Sequence, residues 1–190
     1  MILLILGLFV VSCHGYTPFR LTDCKNSTRR VVTLDGAPQE YPITFPGHVS
    51  VPATVTVHRP VEGPYTLDVT VEKFFFFDYF ALPCFSNVGS CTYDPCALLN
   101  WFRNACPWQL RESDFPCTCQ TVTQNTTYRL QPHPFYIPGL NSAWQWIAYG
   151  DFRVTGRLIE DATGEEVNCY SLEFTVQAAL PELSWDIWDW

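Results

Sequence analysis

Residues 152–177, FRVTGRLIEDATGEEVNCYSLEFTVQ, decide the fold class. In the second half, Tyr170, Leu172, Phe174 and Val176 alternate with Ser171, Glu173, Thr175 and Gln177, the period of two that a strand with one buried face requires. The first half, 152–159, is a weaker strand candidate, and Asp161-Ala162-Thr163-Gly164 supplies turn chemistry between them, so the pattern predicts an antiparallel hairpin. Upstream, Leu67, Val69 and Val71 alternate with Asp68, Thr70 and Glu72, and 30–34, 49–57, 128–130 and 135–137 are further strand candidates. One segment departs from this period. Asp94-Pro95 places an N-cap residue before a proline at the first helical position, Leu98, Trp101, Phe102 and Ala105 follow at helical spacing, and Pro107 stops the run. The expectation is a mainly β domain with one short helix, without internal repeats or long linkers.

Composition narrows the function classes. The 190 residues are 47% apolar and 16% charged, enough to build one sizeable core and too few charges for a disordered chain. Nineteen acidic against 11 basic residues give a net charge of -8, the wrong sign for binding phosphate backbones. Residues 1–15, MILLILGLFVVSCHG, carry an apolar run too short to span a bilayer and suited to a cleaved signal peptide. Of nine cysteines, Cys13 leaves with that segment, and the remaining eight are an even set suited to four disulfides in an oxidising compartment. Asn26-Ser27-Thr28 and Asn125-Thr126-Thr127 fit the N-glycosylation sequon, placing Asn26 and Asn125 on the surface if used.

The strongest cues for catalysis are missing from the sequence: there is no Gly-x-Ser-x-Gly elbow, no glycine-rich phosphate loop and no His-Glu-x-x-His. His48, His58 and His133 are scattered without ligand spacing, and neither a cofactor nor a metal is expected. Two aromatic clusters stand out instead. Phe74-Phe75-Phe76-Phe77-Asp78-Tyr79-Phe80 would be aromatic on both faces of a strand, so either both faces are covered or part of it meets a ligand or a membrane. Trp144-Gln145-Trp146-Ile147-Ala148-Tyr149-Gly150 reads as a loop whose amphipathic rings suit a membrane interface.

The cysteine order adds a resemblance. Cys84-Phe85-Ser86-Asn87-Val88-Gly89-Ser90-Cys91-Thr92, then Cys96 and Cys106, then Phe115-Pro116-Cys117-Thr118-Cys119 and a late Cys169, together with 146–154, resemble the ganglioside GM2 activator family over roughly residues 22 to 178. Eight cysteines leave 105 connectivities open by counting alone. The resemblance implies one of them, Cys24 with Cys169, Cys84 with Cys91, Cys96 with Cys119 and Cys106 with Cys117. It also implies an antiparallel two-sheet β-cup around an apolar lipid cavity, in a domain spanning 16–178. Rim loops that contact lipid or membrane match Phe75, Phe76, Phe77 and Tyr79, and Trp146, Ile147 and Tyr149. The chain departs from the family in its shorter Cys91-to-Cys106 segment, its more aromatic Phe run and a Trp/Asp-rich tail at 179–190.

The functional expectation is a secreted or lysosomal, non-enzymatic lipid-transfer protein. It would lift a ganglioside-like glycosphingolipid from a membrane surface and present it to a lysosomal hexosaminidase. The alternative is a secreted lipid-binding recognition or signalling protein with no hydrolase partner. A hydrolase built on dispersed carboxylates is a third reading, and nucleic acid is not an expected partner.

Overall fold

The computed structural model describes residues 16–60, 63–101, 106–119, 122–138 and 145–179; the signal-peptide expectation for 1–15 and the tail at 180–190 lie outside them. Three long antiparallel strands form the frame: β6 (Tyr65–Phe75), β11 (Gly150–Glu160) and β12 (Glu165–Ala178). The alternating sequences of these strands put apolar side chains on one face and Asp68, Glu72, Arg153, Arg157 and Glu173 on the other. The turn joining β11 to β12 closes with Gly164 donating to the Glu160 carbonyl, its left-handed φ of 67° being one that glycine adopts freely.

Around this frame, β1 (Arg20–Asp23) pairs with β12, and β7 (Asp78–Ala81) and β8 (Cys91–Tyr93) pair with β6. A short β3 (Ile43–Phe45) runs parallel to the end of β12, the one parallel pairing in an otherwise antiparallel set among the described strands. The opposite wall comes in two pieces. One is the three-stranded sheet of β2 (Val32–Gly36), β5 (Ala53–Val57) and β9 (Thr126–Leu130); the other is a ribbon of β4 (Gly47–Ser50) and β10 (Pro134–Ile137). Helix α1 (Pro95–Trp101) starts where the sequence places it, with the Asp94 carboxylate accepting from the Cys96 and Ala97 backbone amides. Two further single-turn helices, α2 (Trp108–Arg111) and α3 (Gln145–Ala148), are too short to leave a periodic signal, so the expectation of one helix is corrected to three among the described residues.

The walls meet closely at one end. There Val31, Tyr65, Leu158 and Val167 form a closed core. Leu158 faces Asn168 while Ile159 faces Glu166, so Val167 is the extra residue of a bulge, and both it and Asn168 are buried. The Asn168 carboxamide oxygen accepts from the Val31 and Val32 amides at 2.8 and 3.1 Å, and its nitrogen donates to the Val32 carbonyl at 2.6 Å. Beside this core Arg29 and Arg59 both reach the Glu160 carboxylate. The hydrogen bond from Arg59, with help from the Thr163 hydroxyl and the charge of Arg29, holds that carboxyl below the usual glutamate range.

Four disulfides are closed: Cys24–Cys169, Cys84–Cys91, Cys96–Cys119 and Cys106–Cys117. The first ties positions 145 residues apart, a loop whose closure is worth about 5 kcal/mol on a chain-entropy account. Replacing both Cys24 and Cys169 with serine is expected to lower the unfolding free energy by an amount of that order, read from urea titration. A second outcome concerns pH. Because the Glu160 pKa is depressed on folding, its contribution is full above the unfolded value of about 4.3 and is lost as pH falls through the lower folded value. Glu160→Gln should therefore lower Tm at pH 7, with the difference from the wild type shrinking below about pH 4.

Candidate functional site

Beyond the closed core, the frame and the β4–β10 ribbon diverge around an open cavity of about 700 Å³. Its floor is the apolar face of the frame: Val71 from β6, Phe152 and Val154 from β11, and Leu172, Phe174 and Val176 from β12. Val49 and Ile137 of the ribbon face them, Phe19, Phe45 and Ala148 are also in the lining, and none of the described lining residues is charged. The volume falls within the range of small-molecule sites. A cavity lined this way offers water too few polar partners, so it is suited to hydrocarbon.

The aromatic run resolves into a hairpin. Phe75 pairs with Asp78 and Phe74 with Tyr79, so Phe76 and Phe77 form the two-residue turn between β6 and β7, and the reading of 74–80 as one strand is corrected. Glycine is favoured at the first position of such a turn, yet Phe76 holds a left-handed φ of 57° there. Phe76 is 94% exposed and Phe77 83% exposed. Two exposed phenylalanines, the first in a left-handed conformation, thus form an apolar tip. At about 3.3 Å per residue the tip stands roughly 17 Å beyond Val71.

The other expected rim residues divide among several environments. Phe75 is half-buried and packs against Phe80, with ring centroids 6.3 Å apart. Tyr79 lies on the outer face beneath the Arg153 guanidinium, 4.0 Å from its ring centroid, and stacks edgewise on Phe74. Tyr149 packs on Phe45 at the cavity's open end, with centroids 6.1 Å apart. Ile147 borders a shallow apolar groove with Leu82, Pro83, Phe85 and Val88. Trp146 belongs to α3, but its side chain lies outside the described residues, as does Trp144. Asn26 and Asn125 are both exposed. The histidines are separate: His58 meets Thr33, His133 meets Glu112, and His48 lies on Tyr136. No group of three His, Cys, Asp or Glu among the described residues could hold a metal, and no described helix is long and apolar enough to cross a membrane.

Three residues escaped the sequence reading. Phe85 and Val88 exchange backbone hydrogen bonds inside the small Cys84–Cys91 ring and stand 68% and 72% exposed. Two apolar residues inside a seven-residue cysteine spacing were the available signal. Lys73 continues the apolar parity of Leu67, Val69 and Val71, which puts it on the inner face opposite Phe152, and it is only 4% exposed. Its Nζ lies 4.9 Å from the Phe75 ring centroid and 5.7 Å from that of Phe152, and burial holds its pKa below the usual lysine value.

The chain is thus a mainly β protein with an open apolar cavity and an aromatic tip. The chain is 28% identical over 138 residues to the ganglioside GM2 activator of Mus musculus, an alignment spanning 70% of this chain and 69% of the mouse protein. It is 27% identical over 135 residues to the ganglioside GM2 activator of Macaca fascicularis, spanning 69% and 68% of the two chains. These similarities support a distant relationship. No family model matches the chain.

The tip and the floor should respond differently to truncation. Phe152→Ala is expected to cost about 3–5 kcal/mol as a buried aromatic, whereas replacing Phe76 and Phe77 together with serine should stay within about 1 kcal/mol of wild type. Urea unfolding of both variants checks this contrast.

Proposed function

We propose that the chain is a non-enzymatic lipid-binding and lipid-transfer protein that withdraws a glycosphingolipid from a membrane and presents it to a glycosidase of the hexosaminidase class. The observation that carries this reading is the open, wholly apolar cavity between the frame and the β4–β10 ribbon. A lipid leaving a bilayer loses about 0.8 kcal/mol per methylene exposed to water, so a carrier must replace that environment. The two similar proteins are both ganglioside GM2 activators, which favours a ganglioside as cargo. Phe76 and Phe77 dip into the membrane interface, with Phe85, Val88 and Ile147 as a second apolar contact. The folded unit is 16–178, preceded by a cleaved signal peptide at 1–15 and followed by a membrane-seeking tail at 179–190, and the protein works in a secretory or lysosomal compartment.

Charge favours acid conditions for docking. With a net charge of -8 at neutral pH and a pI near 4.8, the chain repels anionic membranes least when the medium approaches pH 5.

The test is extraction of a fluorescent ganglioside from anionic vesicles by purified, delipidated protein, with and without a hexosaminidase. Wild type is expected to withdraw ganglioside, more at pH 5 than at pH 7, and to stimulate its hydrolysis. The Phe76→Ser/Phe77→Ser variant should bind vesicles at least about tenfold more weakly, since each lost phenylalanine forgoes about 1.5–3 kcal/mol of apolar transfer. Extraction without stimulation of the enzyme would favour a secreted recognition protein. Absence of extraction would refute the carrier reading.

A further inference from the structure

We propose that Asn26 and Asn125 both carry N-linked oligosaccharides, and that the two glycans crown the closed end of the cup, at the pole opposite the Phe76–Phe77 tip; this rests on the secretory compartment proposed above. The sequon Asn-x-Ser/Thr occurs twice in the chain, at Asn26-Ser27-Thr28 and Asn125-Thr126-Thr127. A three-residue pattern alone is weak, and the fold adds what it lacks. Both asparagines are exposed and stand outside strands and helices, and the Thr28 and Thr127 that complete the sequons are exposed as well. Asn125 lies in the turn that leads into β9, with a left-handed φ of 57° that asparagine accepts more readily than most residues. By contrast Asn168, which starts no sequon, is buried and committed to the Val31 and Val32 backbone.

The pairings place the two sites at one pole. Asn26 follows Cys24, which is bridged to Cys169 of β12, and precedes Arg29, whose guanidinium meets Glu160 and Glu165 on either side of the β11–β12 turn. Asn125 precedes Thr126, which faces Val57 across the β5–β9 ladder. The residue after Val57, His58, donates its amide to the Val31 carbonyl at 2.8 Å, and Val31 belongs to the closed core with Tyr65 and Leu158. From Tyr65 the 11 residues of β6 lead away to Phe75, a length of about 33 Å at about 3.3 Å per residue, before the hairpin tip begins.

In the transfer, the side-chain amide nitrogen of each asparagine attacks the anomeric carbon of a lipid-pyrophosphate-linked oligosaccharide. The nitrogen–carbon bond forms, the bond from that carbon to the pyrophosphate oxygen breaks, the lipid pyrophosphate leaves with the electron pair, and one amide proton passes to solvent. Nothing is oxidised or reduced. The glycans are bulky and strongly hydrated. At the rim, a glycan would oppose entry of the tip into a membrane interface, because its hydroxyls would lose water without gaining partners. At the closed end it stays in water, so the modification sets which pole faces solvent while Phe76 and Phe77 meet the bilayer.

The test expresses the full chain in mammalian secretory cells restricted to high-mannose glycans and maps peptides of the secreted protein by mass spectrometry. Wild type is expected to carry an oligosaccharide on both Asn26 and Asn125, and Asn26→Gln and Asn125→Gln should each lose one glycan. The wild-type map needs no variant to fold. Secreted, disulfide-bonded protein with either asparagine bare overturns the proposal and leaves the secretory reading standing. Protein retained in the cell with residues 1–15 attached and its cysteines reduced overturns both. The placement is read separately, by binding the wild-type glycoprotein at about pH 5 to vesicles of phosphatidylglycerol and phosphatidylcholine and adding an acid-active endoglycosidase. Both glycans should be released at the same rate from free and from vesicle-bound protein. Slower release from the bound protein puts the glycans against the membrane and overturns the assignment to the opposite pole. Failure to bind these vesicles overturns the membrane docking and the orientation with it, while occupancy of the two asparagines stands or falls on the peptide map.

Discussion

The inner face of β12 changes chemistry once along its length, and the cup depends on that change. Near its start, Asn168 and Tyr170 reach across to the opposite wall, Asn168 through the Val31 and Val32 backbone and Tyr170 by accepting from the Leu34 amide at 3.0 Å. Two residues further on, Leu172, Phe174 and Val176 have no polar reach, and the wall they face is the separate β4–β10 ribbon. Polar side chains therefore pin the two sheets where they must touch, and apolar ones leave a space where they must not. A buried carboxamide that makes three hydrogen bonds to the β2 side fixes register as well as position, since sliding β2 by one residue would orphan them.

A protein that keeps its centre open forgoes dispersion and apolar burial that a filled core would supply. The described structure compensates at the periphery. The Cys24–Cys169 bridge ties the chain just after β1 to β12, Arg29 and Arg59 converge on Glu160 at the closed end, and the β11–β12 and β6–β11 ladders run nearly the full length of the strands. The same distribution leaves the open end, among the described residues, with an apolar floor and an exposed aromatic tip, the features on which the proposed carrier role rests.

The long strands were legible because each has one buried face, and alternation survives in β6 and β12 almost without exception. The 49–57 candidate is not continuous: Val51-Pro52 interrupts it, and a proline that cannot donate to a ladder lets β4 and β5 go to different sheets of the opposite wall. Strands β1 and β3 left no pattern because each is short and takes its partner from β12, more than a hundred residues away. The Phe run concealed a hairpin because its turn lacks every residue that normally announces one. Lys73 was visible in principle as a charged residue on the apolar parity of β6, but in a single sequence a lysine late in a strand reads as the strand's exposed end. The open cavity itself has no local signature; it follows from which walls meet, and that is a property of pairings distant in the chain.

The claim on which the functional account stands is that this cavity holds the chains of a membrane lipid. A crystal structure of the protein grown after incubation with a glycosphingolipid tests it most directly. The account predicts continuous density for hydrocarbon between Phe174 and Ile137, with the headgroup emerging past Tyr149 and Phe45. Ordered water filling that space, or lipid bound only on the outer surface, would contradict it.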